Sequence, residues 1–173
     1  MTILSDRDIR SYMADGLLNV VPLTEDSVRP ASVDLRLGPV VTIADLNEPD
    51  GWRVHDLRDR PFRLYHGAFV LAATLERITL SNRVAGVLAG KSSRAREGIQ
   101  VEAAGYVDPG WDGELTIEVT RFRPGTSMLQ VGMPICQIRF ELLLSPCERP
   151  YGSDGSSHYQ HSVGPVVSRG VLR

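Results

Sequence analysis

The sequence predicts a mainly β fold, a distorted antiparallel barrel or jelly roll with one short helix near the N-terminus. Two observations carry this prediction. Short stretches in which every second residue is apolar recur along the chain, which is the pattern of half-buried strands. Between them stand 16 glycines and 11 prolines, as expected for many short strands joined by turns. The 173 residues suffice to bury a core without disulfides or metals, and we expect one domain over 1–173.

The predicted helix covers about residues 6–15. Ser5 followed by Asp8 resembles a capping box in which an acid replaces the usual Glu or Gln. Apolar residues then recur at helical spacing up to Met13, and Gly16 is a natural C-terminal stop.

After this helix the chain is predicted to be almost entirely β. Three of the predicted strands alternate apolar with polar residues, and the other two are apolar runs bounded by polar turn residues. The predicted strands lie around residues 33–37, 69–75, 84–88, 114–120 and 138–142. The C-terminal segment from about residue 151 is rich in Gly and Ser, and we expect it to be mobile until a ligand binds.

The charge balance argues against a protein that binds a nucleic-acid polymer through a broad cationic face. With 19 basic and 21 acidic residues the formal net charge is −2, whereas neutralisation of phosphates dominates such binding. A small anionic ligand needs only a local cationic cluster, so a nucleotide is compatible with this charge. The N-terminus lacks a signal-peptide core and the apolar runs are too short to span a bilayer. We therefore expect a cytoplasmic enzyme or binding protein without a membrane partner.

The segment from 90 to 120 contains the groups from which a site could be built. In KSSRAR, residues 91–96, two hydroxyls lie between cationic residues, and both hydroxyl and guanidinium groups bind phosphate oxygens. If a helix begins here, Ser92 or Ser93 would be its N-cap, and free backbone N–H groups would add to anion binding. A capped surface turn with solvated charges is the alternative explanation.

Two acids follow in the same segment. Asp108 lies in an Asp-Pro-Gly turn that it could simply cap, and Trp111 beside it could be core or a flat apolar wall for a sugar or base. Glu118 is predicted in mid-strand, on the face opposite the apolar residues of its strand. If that face lines a pocket, Glu118 could exchange protons with a ligand; if it faces solvent, it is an exposed strand glutamate.

Together these motifs resemble the dCTP deaminase family, within the trimeric dUTPase-like superfamily. The resemblance runs nearly end to end. LSDRDIRSYMADGLL resembles the family's N-terminal helix and RPASVDLRLG its first strand motif. FVLAATLERITL precedes the phosphate motif GKSSRAR, and AGYVDPGWDGELTIE resembles the turn and strand with the catalytic glutamate. GMPICQIRFELL and RPYGSDGSSHYQ resemble the closing strand and the C-terminal segment.

The resemblance implies a role for each of these residues. Glu118 would be the general acid and base in the attack of water on cytosine C4. Ser92 would help to hold that water, together with a backbone carbonyl near Ala104. Phosphate or nucleotide contacts would come from Lys91, Ser92, Ser93, Arg94, Ala95, Arg96, Gln137, Tyr151 and His158. Sugar or base contacts would come from Asp108, Trp111, Thr116 and Ile117.

The activity implied by the resemblance is hydrolytic deamination of dCTP, or of a close pyrimidine deoxynucleotide, to dUTP and ammonia. It also implies a homotrimer with sites between subunits, and Mg²⁺ carried on the triphosphate without a protein ligand. Zinc-dependent nucleobase deaminases need H-x-E followed by P-C-x-x-C. No histidine has that context, and Cys147, which follows a proline, has no partner three residues on. The deaminase is therefore expected to be zinc-free.

The chain departs from the family pattern at several positions. Arg94 and Glu97 stand where hydrophobic residues are usual, and the stretch 101–104 replaces a longer one with a histidine and a threonine. His158 and Ser162 stand nearest to a usual lysine and glutamine. In addition, Arg121 lies near the position of a usual asparagine.

These departures leave two alternatives open. The AGY-type turn is closer to family members that also hydrolyse dUTP, so the chain could be a bifunctional dCTP deaminase/dUTPase, or a dUTPase giving dUMP and pyrophosphate. It could instead be a non-catalytic, nucleotide-binding regulatory paralogue.

Overall fold

The computed structural model describes residues 2–102, 105–155 and 157–168. Two α-helices lie in this part of the chain, α1 (Asp6–Ala14) and α2 (Ser92–Arg96), and Glu25–Ser27 form a 3₁₀ turn. The strands in chain order are β1 (Thr2–Ile3), β2 (Leu18–Val21), β3 (Val28–Arg29), β4 (Ser32–Ala44), β5 (Trp52–Asp56), β6 (Phe62–Tyr65), β7 (Phe69–Leu80), β8 (Val84–Gly90), β9 (Ile99–Glu102), β10 (Tyr106–Val107), β11 (Asp112–Arg121), β12 (Thr126–Leu129) and β13 (Pro134–Leu142).

Eleven of the strands formed by the described residues belong to one antiparallel sheet. Its main path runs β10–β8–β13–β4–β7–β11–β9, and β1, β2, β3 and β5 pair with strands of this path. β6 and β12 form a separate two-stranded sheet. The predicted mainly β, antiparallel fold with a short N-terminal helix is confirmed.

Helix α1 begins at the predicted capping box. The Ser5 hydroxyl oxygen accepts a hydrogen bond from the Asp8 amide at 3.3 Å, and the Asp8 carboxylate accepts one from the Ser5 amide at 3.3 Å. Ile9 is fully buried, so the helix attaches to the sheet by the apolar face that its spacing predicts.

Strand β4 is more deeply buried than its alternating sequence predicts. Val33, Asp34 and Leu35 are all buried, because β4 lies between β13 and β7 in the sheet and carries β3 and β5 on parts of its length. The expectation of a half-buried strand is therefore wrong here, and the carboxylate of Asp34 is inside the protein.

Strand β11 has the alternation that the sequence predicts. Ile117 and Val119 are fully buried, whereas Thr116 and Glu118 are half-buried on the opposite face. In the register between β11 and β7, Glu118 lies opposite Leu71. The core thus fixes one face of β11 and leaves Glu118 on the other.

The described part of the C-terminal segment lies against the start of β11. The His161 amide donates to the Asp112 carbonyl at 2.8 Å, and the Gln160 side chain donates to the Gly110 carbonyl at 2.9 Å. The predicted mobility of this segment and the predicted single domain stay predictions. Neither helix in the described residues has the length and apolar composition that crossing a membrane requires.

Candidate active site

Helix α2 forms one wall of a cavity of about 440 Å³, which we call the α2 cavity. The N-cap of α2 is Lys91, whose extended backbone (φ −81°, ψ 133°) continues β8, and no side chain caps the helix. The expectation that Ser92 or Ser93 caps it is therefore wrong, because the extended chain ends one residue earlier. The cavity is lined by Gly90, Lys91, Ser92, Ser93, Arg94, Ala95, Ile99, Gln100, Val101 and Gln137.

The cationic side chains of α2 differ in their surroundings. Arg94 lines the α2 cavity and pairs with Glu97, with 2.7 Å between Nη1 and Oε2. Arg94 and Glu97, two of the residues at which the chain departs from the family pattern, thus neutralise one another. Arg96, predicted to contact phosphate, is exposed and lies outside the α2 cavity.

Glu118 opens into a second cavity, of about 560 Å³, which we call the Glu118 cavity. Its walls are mostly apolar and aromatic, and polar groups enter from β11 and from the C-terminal segment. The lining residues are Trp52, Phe69, Leu71, Leu88, Tyr106, Val107, Trp111, Leu115, Thr116, Glu118, Tyr159, Ser162, Val166 and Ser168. A carboxylate among apolar walls is suited to proton exchange with a bound ligand.

The predicted base and sugar contacts on β11 divide between its two faces. Thr116 lines the Glu118 cavity, and its hydroxyl accepts a hydrogen bond from the Val166 amide at 3.1 Å. Trp111 is both core and cavity wall, since it is 9% exposed and its Nε1 donates to the Gly113 carbonyl at 3.1 Å. The side chain of Ile117 is fully buried on the opposite face and does not reach this cavity.

Asp108 lies in a neighbouring cavity of about 420 Å³. Tyr151 lines it as well, so two residues that the resemblance assigns to the nucleotide lie together. Tyr106 lines both this cavity and the Glu118 cavity, so the two are neighbours that share this side chain as a wall. The ring of His158 lies against that of Tyr159 at 6.2 Å, outside the cavities described above.

A cluster of polar groups attaches the C-terminal segment to β11. The Asp112 carboxylate accepts hydrogen bonds from Arg77 at 2.8 and 2.6 Å and from the Thr79 hydroxyl at 2.9 Å, and lies 2.9 Å from His161 Nδ1. The Arg77 guanidinium holds the pKa of Asp112 below its usual range. An ionised carboxylate at this position ties the C-terminal segment, and with it Ser162 and Val166, to the rim of the Glu118 cavity.

The predicted residues are not all brought together within one chain. The α2 cavity and the Glu118 cavity have no lining residue in common. Ala104 lies outside the described residues. The described residues contain no group of three or more His, Cys, Asp or Glu side chains placed to hold a metal ion.

Sequence reasoning missed the apolar side of the Glu118 cavity. Phe69 and Leu71 line it, because they lie opposite Thr120 and Glu118 in the register of β7 with β11. The signal was the apolar run at 69–75, which predicts a strand, but the pairing of that strand with β11 is not visible in the sequence.

Comparisons with known proteins identify the family of the chain. A family model described as dCTP deaminase-like matches residues 3–143. A protein from Rhodospirillum rubrum named dCTP deaminase is 38% identical, covering 96% of this chain and 95% of that protein. A protein from Methanosphaera stadtmanae named dCTP deaminase, dUMP-forming, is 36% identical, covering 98% of this chain and 94% of that protein.

Two solved structures resemble the fold. The crystal structure of 2′-deoxycytidine 5′-triphosphate deaminase from Agrobacterium tumefaciens matches with a TM-score of 0.67 and 25% identity, over 82% of this chain and 48% of that chain. EIAV dUTPase matches with a TM-score of 0.52 and 18% identity, over 79% of this chain and 98% of that chain. The predicted dUTPase-like fold is confirmed.

Proposed function

Because the chain belongs to the dCTP deaminase-like family, whose model matches residues 3–143, we propose that it converts dCTP to dUMP in two hydrolytic steps. The first step replaces the amino group at cytosine C4 by oxygen and releases ammonia. The second cleaves dUTP to dUMP and pyrophosphate. The family that the motifs predict is confirmed; the reaction and the roles of the residues are the proposal.

The position of Glu118 is the observation that carries the deamination step. It is half-buried in mid-strand, and the packing of Ile117 and Val119 on the opposite face prevents it from turning inward. It enters a cavity with aromatic walls, among them Trp111 and Tyr106, that suit a flat base.

Glu118 would act first as a base and then as an acid. It takes one proton from the attacking water as oxygen bonds to C4 and passes that proton to N3. It then moves the proton of the new C4 hydroxyl to the amino nitrogen, so that ammonia leaves as the C4 carbonyl forms. Ser92 would hold the water, and Thr116 would orient the base. The net reaction consumes one water and yields dUTP and ammonia.

Release of pyrophosphate is the better-supported of the two outcomes that the sequence left open. The Methanosphaera stadtmanae relative is named dUMP-forming, as are relatives from Nocardia farcinica and Mycolicibacterium vanbaalenii at 39% and 40% identity. In this step Asp108 would orient the water that attacks the phosphate. Its cavity shares Tyr106 with the Glu118 cavity, and we propose that one bound nucleotide extends past this residue and undergoes both steps.

We further propose that a complete site forms between two copies of the chain in a homotrimer. Of the β9 residues that line the α2 cavity, Ile99 and Val101 lie on the face opposite that of Glu118, and Gln100 lies on the same face. The proposed phosphate-binding residues and the glutamate of one chain line cavities that have no residue in common. A second copy that presents its α2 cavity to the Glu118 cavity would bring them together. Light scattering at working concentration would measure the mass of the assembly.

The metal requirement follows from the same proposal. Mg²⁺ would arrive on the triphosphate as part of the substrate, and neither step would use zinc. A zinc chelator that does not remove Mg²⁺ should leave ammonia release unchanged. The cytoplasmic location predicted from the sequence stays a prediction.

A pyrimidine nucleotide panel tests the proposed reaction. Purified protein is incubated with dCTP, dUTP, dCMP and dTTP in Mg²⁺, and ammonia and pyrophosphate are both measured. We expect both products from dCTP and pyrophosphate alone from dUTP. Ammonia release from dCTP without pyrophosphate would show that the protein is a deaminase alone. Pyrophosphate release from dUTP, with no product from dCTP, would show that it is a dUTPase alone. Saturable binding without either product would favour the non-catalytic alternative.

A further inference from the structure

Arg121, the last residue of β11, is buried without a carboxylate partner among the described residues. It is 5% exposed. Its guanidinium donates to the Glu97 carbonyl at 2.6 Å, to the Pro124 carbonyl at 3.1 Å and to the Ser127 hydroxyl. Its Nε is buried without a hydrogen-bond partner among the described residues, so these three neutral oxygens alone stabilise the buried charge, and losing one of them would be costly.

The Glu97 carbonyl belongs to the residue that ends α2. Next to it, the Gly98 carbonyl accepts a hydrogen bond from the Phe122 amide at 3.1 Å. Gly98 has a φ of +85°, and a Cβ there would lie 2.4 Å from Cβ of Arg123. The turn that follows α2 is thus fixed against the end of β11 by two hydrogen bonds and by close packing.

The contact between the end of β11 and the turn after α2 lies next to the α2 cavity. Arg121 and Ile99 are register partners between β11 and β9, and Ile99 lines that cavity together with Ser92 and Ser93. A displacement of the turn at 97–98 would therefore move both α2 and the first residue of β9.

We infer that Arg121 is a positioning residue that fixes α2, and with it the hydroxyl groups of Ser92 and Ser93, relative to β11. It does not line the α2 cavity itself and acts through the Glu97 carbonyl. The inference rests on the proposed function in one respect, that α2 holds the phosphates of the substrate. It requires neither deamination nor pyrophosphate release.

Inorganic tripolyphosphate is the probe, because it reports on phosphate binding without turnover. In calorimetric titrations Arg121→Met should weaken tripolyphosphate binding about tenfold, since the tie between α2 and β11 is lost. The exposed Arg123 lies two residues away, so Arg123→Met is the matched control and should bind as the parent does. If the protein deaminates dCTP, Arg121→Met should raise KM about tenfold and also lower kcat, because Ser92 on α2 would hold the attacking water.

Chemical rescue separates positioning from general damage. Added guanidinium chloride at low, non-denaturing concentration should restore tripolyphosphate binding to Arg121→Ala, whereas potassium chloride at the same concentration should not. If neither of these variants folds, Arg121→Lys, which can keep one carbonyl contact, should bind with intermediate affinity.

Three outcomes would overturn the inference: unchanged tripolyphosphate affinity in folded Arg121→Met, equal loss in Arg123→Met, or no binding by the parent protein. Weakened binding in a protein that releases no ammonia from dCTP would refute the proposed deamination and leave the role of Arg121 intact.

Discussion

Lys91 and Asp34 form an ion pair with 2.5 Å between Nζ and Oδ1, although Asp34 lies on β4 and Lys91 follows β8 as the N-cap of α2. The Asp34 side chain is only 5% exposed, and a second cation, Arg29, approaches its other oxygen at 2.8 Å. The first residue of the phosphate motif is therefore anchored to the interior of β4. Two cations around one carboxylate leave a net positive charge beside the α2 cavity.

Asp34→Asn keeps the shape of this side chain and removes its charge. Lys91, whose side chain is 19% exposed, would lose its partner, and we expect the free energy of unfolding to fall by about 3 kcal/mol. Urea denaturation measures this loss. Glu25→Gln breaks an exposed pair with Arg10 and should leave stability nearly unchanged. Similar losses in both variants would contradict a special role for the buried pair.

Glu118→Gln should strongly slow ammonia release and preserve nucleotide binding, because the amide fills the same space but cannot accept the proton of the attacking water. We expect the rate to fall by about a thousandfold with dCTP affinity unchanged within about threefold. The comparison variant is Asp108→Asn, which should lose pyrophosphate release and retain ammonia release. Chromatography of the products with calorimetry distinguishes these patterns. Deamination by Glu118→Gln at the parent rate would refute the assignment.

The elements that depend on local sequence could be predicted. The capping box at Ser5 and Asp8 specifies the start of α1, and the alternation around Glu118 specifies which residues of β11 face the core. Both signals act over a few residues, so no knowledge of tertiary partners is needed.

The site could be predicted only in part, because its geometry depends on pairing between distant strands. The burial of Asp34 requires Lys91 and the neighbouring strands, none of which is adjacent in sequence. Ser92 and Glu118 line different cavities, and this separation depends on how β9 pairs with β11. The family motifs name these residues, but the motifs do not state which of them one chain brings together.

The Asp112 cluster predicts a pH dependence of the C-terminal segment. The Arg77 guanidinium, with Thr79 and His161, lowers the pKa of Asp112. A lowered folded-state pKa stabilises the folded form above the ordinary carboxyl pKa of about 4, and this contribution is lost as pH falls through the folded-state value. Hydrogen exchange should therefore show protection of the His161 amide at pH 7 and its loss in acid.

Asp112→Asn should lose this protection already at pH 7, since the uncharged amide cannot hold Arg77 and His161 in place. The matched control is Asp56→Asn. Arg58 lowers the pKa of Asp56 to about 2, and Asp56 lies at the end of β5 rather than at the cluster. This control should keep the His161 amide protected. Protection of that amide in Asp112→Asn would show that the backbone contacts alone hold the segment.

Gly110 allows the chain around Tyr151 to approach the turn that follows Asp108. Its φ is +90°, and a Cβ there would lie 2.6 Å from Cβ of Pro150 and 2.9 Å from the backbone N and O of Tyr151. Gly110→Ala should therefore push Tyr151 away from Trp111. The ring centroids of these two residues are 5.4 Å apart.

Gly16 is the matched control. Its φ is also positive, +69°, but a Cβ added there would have no atom within 4 Å. Gly16→Ala should cost only the backbone strain, about 1 kcal/mol, whereas Gly110→Ala should cost about 3 kcal/mol in urea denaturation and also weaken dCTP binding. Equal losses of stability would mean that the contact between the turn and the C-terminal segment contributes nothing to the fold.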